Sequence, residues 1–164
     1  MPDAKTRFII TDPCYLIDDD AHPDAWSHFC ELSDSRSNWE VTQQANEYLS
    51  GELGFGIVAA STGFGDWSNC IEGEGVVNMN FFADAGMVCV AEIPKSALVQ
   101  ERIKDLASVG GVAIFEADCA FSDLRIEMDR SVRKWTVVRV YGPDGNLLVH
   151  SLEDTDDMSD DDNE

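Results

Sequence analysis

The sequence predicts an α+β fold: a largely antiparallel, curved sheet with two or three covering helices. Two observations carry that expectation. Segments with strand patterning outnumber those with helical spacing, and most are joined by turns too short to hold a crossover helix.

Phe8 to Ile10 and Tyr15 to Ile17 are short apolar runs flanking Thr11-Asp12-Pro13, so the chain is expected to open strand, turn, strand. Pro23 suits the first turn of a helix that places Trp26, Phe29 and Cys30 on one face. Ser37-Asn38-Trp39-Glu40 has capping-box spacing, and Val41, Ala45, Tyr48 and Leu49 then recur at helical period, with Gly51 as the expected C-cap. Phe55 to Ala60 reads as a strand, and Gly63 to Gly75, with four glycines, as a loop. Val77, Met79 and Phe81 alternate with Asn78 and Asn80, the pattern of a half-buried strand. Met87 to Ile93 is almost wholly apolar and suits a central strand.

Pro94-Lys95-Ser96 precedes a helix carrying Leu98, Val99, Ile103 and Leu106, ended by Gly110-Gly111. Three further strands are expected at Val112 to Ala117, Leu124 to Met128 and Trp135 to Tyr141. Gly142-Pro143-Asp144-Gly145 is a hairpin turn into Leu147 to Val149. There is no internal repeat, and the 164 residues fit one domain by size.

The charge is far from balanced: 32 acidic residues face 11 basic ones, a formal net charge of −21. Such a chain repels nucleic-acid phosphates and anionic membranes, so direct binding to either is disfavoured. Eight of the acids lie between Glu153 and Glu164, where no base occurs and Met158 is the one large apolar residue. That stretch cannot bury enough surface to offset its ordering entropy, and residues 153–164 are expected to be a disordered acidic tail behind a domain at 1–152. Without it, 32 less eight leaves 24 acids against 11 bases, a balance of −13 on the domain. Asp outnumbers Glu and Lys occurs at four positions only, which fits either salt adaptation or a surface that mimics nucleic acid.

No apolar run reaches transmembrane length and Met1 to Arg7 holds no apolar signal core, so a soluble protein is expected. Cys14, Cys30, Cys70, Cys89 and Cys119 are odd in number and form no C-x-x-C pair. They read as free thiols of a reducing cytoplasm, with Cys89 in the core. Cys14 with His22 or His28 could form a nucleophile and base, but little positive charge is at hand to hold a thiolate, and inert packing is the better reading.

Three segments place a polar residue at a strand end: Thr11 to Tyr15, Gly63 to Cys70 and Phe82 to Cys89. Asp12, Asp66 and Asp84 would be hard oxygen ligands for Mg²⁺ or Ca²⁺ if they converged, the basis of a small metal-dependent hydrolase or nucleotide-processing enzyme. The better reading of an Asp beside Pro or Gly is a turn residue bonding nearby backbone N–H groups. Otherwise no metal or cofactor is expected, because no EF-hand, P-loop or H-E-x-x-H spacing occurs. Trp67, among glycines and beside Asp66, is a candidate contact residue, with Trp135 expected in the sheet. The expected binding residues are Asp66, Trp67, Asn69 and Asp84, with Asp12 and Tyr15.

The strings T-D-P-C-Y-L-I (Thr11 to Ile17), G-D-W-S-N-C (Gly65 to Cys70) and F-F-A-D-A-G-M-V-C-V (Phe81 to Val90) resemble a group of small proteins of unknown function encoded by bacteriophages and prophages. The D-P and D-A-G elements are also similar to the bacterial domain of unknown function numbered 4241. The likeness covers Thr11 to Ile17 and about Thr62 to Val90; the tail and Ser33 to Ser50 lie outside it. It implies a phage or mobile-element origin and no catalytic residue. The leading expectation is therefore an acidic binding protein, an inhibitor or nucleic-acid mimic docking on a basic host protein in the host cytoplasm. A salt-adapted structural protein is the blander alternative.

Overall fold

The computed structural model describes residues 6–18, 20–32, 39–61, 67–83, 87–94, 96–129 and 137–151. Ten strands and three α-helices occur among them: β1 (Thr6–Thr11), α1 (Ala25–Leu32), α2 (Trp39–Leu53), β2 (Ile57–Ser61), β3 (Trp67–Glu72), β4 (Val76–Asn78), β5 (Asn80–Ala83), β6 (Met87–Glu92), α3 (Ala97–Ser108), β7 (Ala113–Ala117), β8 (Arg125–Asp129), β9 (Val137–Tyr141) and β10 (Leu147–Ser151). The class is α+β, and every strand pairing is antiparallel. The strands form two sheets of five, ordered β2-β6-β1-β7-β4 and β5-β3-β10-β9-β8.

Burial explains the layering. In β1, Phe8 and Ile10 point into the space between the sheets, where Val90 and Phe115 meet Phe81, Val138, Val140 and Val149 of the second sheet. Ile9 points the other way, into a core with Leu16, Phe29, Leu49, Ala91, Val99 and Ile103. Helices thus cover the outer face of the first sheet, and the second sheet covers its inner face. A strand buried on both faces has no need to alternate, which is why β1 and β6 are continuous apolar runs.

The elements differ from expectation in four places. The run at Tyr15 to Ile17 is not a strand: Pro13–Leu16 is a 3-10 helix whose N-cap is Asp12, and Pro13 at its start supplies the fixed φ that such a turn uses. The C-cap of α2 is not Gly51, which lies inside the helix; the chain leaves it at Gly54, whose φ of +83° glycine tolerates best. The expected loop at Gly63 to Gly75 contains β3, whose sequence Trp-Ser-Asn-Cys-Ile-Glu is polar enough to hide a strand. The expected single strand through Val77, Met79 and Phe81 is two short ones divided at Met79. β4 pairs with β7 in the first sheet and β5 with β3 in the second, leaving Val77 and Met79 exposed and Phe81 buried. Ser37, Trp135 and the acidic tail at 153–164 lie outside the described residues. No helix among the described residues is long and apolar enough to cross a membrane.

Candidate functional site

Asp12 follows the last residue of β1 and is wholly buried. Its carboxylate accepts from the Cys14 N–H at 3.0 Å, capping the 3-10 turn. A residue with no exposed surface cannot meet a docking partner directly, so Asp12 is a structural turn acid and not a surface contact. Thr11 beside it is also buried and donates its hydroxyl to the Gly111 carbonyl at 2.9 Å. Tyr15 is half-buried, its ring edge-on to Phe82 with centroids 5.9 Å apart. Asn69 is half-buried in β3, its side-chain oxygen accepting from the Cys70 N–H at 2.7 Å.

The backbone of Trp67 pairs with Ala83, and Thr11 pairs with Cys89. These pairings bring the described flanks of all three singled-out segments to one end of the molecule. Asp66 and Asp84 themselves lie outside the described residues, as does the side chain of Trp67. Among the described residues, no group of three or more His, Cys, Asp or Glu side chains is placed to hold a metal ion.

A grouping of carboxylates lies elsewhere. A cleft of about 870 Å³ opens where the β3–β4 turn, the end of β7, the β9–β10 turn and β10 meet. Glu72, Glu74, Glu116, Asp118 and Asp144 line it, and His150 is the one basic side chain among its described lining residues. Close backbone approach builds the wall: the Glu116 N–H donates to the Gly75 carbonyl at 2.9 Å, and a Cβ on Gly75 would stand 2.3 Å from the Glu116 carbonyl oxygen. Asp144 is held by Asn146, which donates from its backbone at 3.1 Å and its amide at 2.9 Å. Arg7 Nε bonds Glu116 at 2.8 Å from the rim, and His150 Nε2 lies 3.8 Å from Glu72.

Cys119 also lines the cleft, and its thiol is pushed above the usual range by burial and by the charges of Asp123, Asp118 and Asp144. A thiol kept protonated is a poor nucleophile. Cys14, singled out with His22 or His28, is half-buried, while His22 Nδ1 is 2.9 Å from Glu52 and His28 packs edge-on to Tyr48. What the cleft offers is negative potential and hydrogen-bond acceptors, which suit a cationic partner.

Sequence reasoning singled out none of the cleft acids: Glu72, Glu74 and Asp144 fall in segments read as connections, Glu116 in an expected strand and Asp118 just after it. The signal was present: Glu72-Gly73-Glu74-Gly75 and Pro143-Asp144-Gly145 are turns that carry acids without a nearby base. No family model matches the chain, and neither a curated protein nor a solved structure matches it.

Proposed function

We propose that this chain is an acidic binding protein that docks on a basic protein surface through the cleft between Glu72, Glu116 and Asp144. The observation that supports the reading most is the cleft itself, with five carboxylates and one histidine on its described walls. A net charge of −21 strengthens it, since long-range attraction speeds encounter with a basic partner and repels nucleic acid and anionic membranes. The phage-like strings around Asp12, Trp67 and Asp84 support a mobile-element origin and hence a host protein as the partner.

The test is capture from bacterial lysate at low and high salt, using the full chain, a cleft variant (Glu116→Gln, Asp118→Asn, Asp144→Asn) and a control neutralised to the same extent on α3 (Glu101→Gln, Asp105→Asn) and α1 (Glu31→Gln). A genuine partner is retained at low salt by the full chain and the control, and lost by the cleft variant and at high salt. Capture indifferent both to salt and to the cleft substitutions would overturn the proposal.

A further inference from the structure

Two of the four outermost strands, β2 and β8, are treated differently by the fold. Along β2, the Asn46 amide donates to the Ala59 carbonyl at 3.2 Å and accepts from the Ala59 N–H at 2.9 Å. The Ser50 hydroxyl donates to the Ile57 carbonyl at 3.2 Å. Side chains of α2 therefore occupy the place of a neighbouring strand, and that edge is closed. β8 is one of the two outermost strands of the second sheet, and among the described residues it pairs with β9 alone.

Beside β8 runs a groove of about 540 Å³, with α2 and β2 on one wall and residues from Phe121 to Ile126 on the other. Val58, Phe121, Leu124 and Ile126 give it an apolar lining, continuous with the core between the sheets. The Phe121 ring can lie there because residue 56 is glycine: a Cβ at Gly56 would stand 2.2 Å from the ring. The groove thus borders a strand edge on which a further strand could pair.

We infer that the β8 edge and this groove take an extended peptide of a partner protein, added as a strand with apolar side chains at every second position. Successive strand residues face opposite ways, so one set would enter the groove while the other faced solvent on the outer face of the sheet. Charge selects the occupant. On β8 itself Arg125 is paired with Glu127, Glu47 is the one charged residue among the described groove lining, Asp123 is exposed nearby, and the chain as a whole carries −21. Basic residues at the solvent-facing positions are therefore favoured, and a second copy of this chain is repelled. The groove and the acidic cleft share no lining residue among the described ones, so the inference stands independently of the proposed function.

The test titrates the full chain with fluorescein-labelled Lys-Val-Lys-Ile-Lys-Val-Lys, following anisotropy and amide exchange. Two versions of the peptide, each methylated on one alternate set of backbone nitrogens, are run beside it. Binding should slow exchange of β8 amides about tenfold, because an added ladder must open before they exchange. One methylated version should bind about tenfold more weakly than the other, since only one set faces β8. Leu124→Lys should weaken binding in a protein whose unfolding curve remains cooperative; if that variant fails to fold, the methylated pair on the native chain decides. Absence of binding, equal binding of both methylated versions, or unchanged β8 exchange in the complex would each overturn the inference. Binding abolished by Glu116→Gln with Asp118→Asn while β8 exchange stays unchanged would overturn it too, and leave the cleft proposal standing. Protection of β8 that grows with protein concentration alone would replace the peptide with a second copy.

Discussion

Asn46 is a helical residue that completes a sheet. It is 8% exposed, and its amide meets both backbone groups of Ala59. Asn46→Ala should lower the unfolding free energy in urea by about 3 kcal/mol, because two buried backbone groups lose their partners at once. Such a role leaves no trace in sequence: Asn46 sits among polar helix residues and matches no motif. Asp12 was legible as a turn acid from Asp-Pro alone, yet its complete burial is a tertiary property that no local pattern reports. Cys89 was legible as core from its apolar neighbours. Burial chiefly, then the Asp12 charge and Cys14, push its thiol well above the usual range, against a smaller opposing bond from the Thr11 backbone. In the native protein Cys89 should resist a thiol-exchange reagent while half-buried Cys14 and Cys70 react, which mass spectrometry of the labelled chain would show.

Among the elements, apolar strand runs and a clear helical period were the most legible: β1, β6, β7 and α3 fall where their patterns placed them. Elements with weak patterns were not. β3 is polar on one side, and the 3-10 turn at Pro13–Leu16 shares its apolar content with a strand. What holds that turn is distant in sequence: Arg102 of α3 donates to the carbonyls of Tyr15 and Ile17 at 2.8 and 3.0 Å. Arg102→Met keeps the aliphatic packing and removes both bonds, and should cost about 2 kcal/mol in urea unfolding. Gly75 is the matching device in the cleft wall. A methyl there meets backbone and not a movable side chain, so Gly75→Ala should push β4 away from β7 and cost about 2 kcal/mol or more, read from the same unfolding curves.

For the molecule as a whole, the acidic character was plain from composition, while the grouping of five acids in one cleft needed two turns and the end of β7 to converge. The pH response follows from groups whose ionised forms the fold disfavours. Cys89, Cys119 and Tyr48 all have raised values, from burial first and nearby acids second. Each favours the native state fully below the pH at which its unfolded form ionises. That contribution is lost as pH rises through the native value, so the melting temperature should fall from about pH 9 upward. Cys89→Ala should flatten part of that fall. The chain leaves the second sheet after Glu72, lends three residues to the first, and returns at Met79, where the carbonyl still accepts from the Ile71 N–H at 2.8 Å. A thread stitched through both layers in this way leaves neither sheet a separate existence: peeling one open must unpick the other, and the molecule should yield as a single unit.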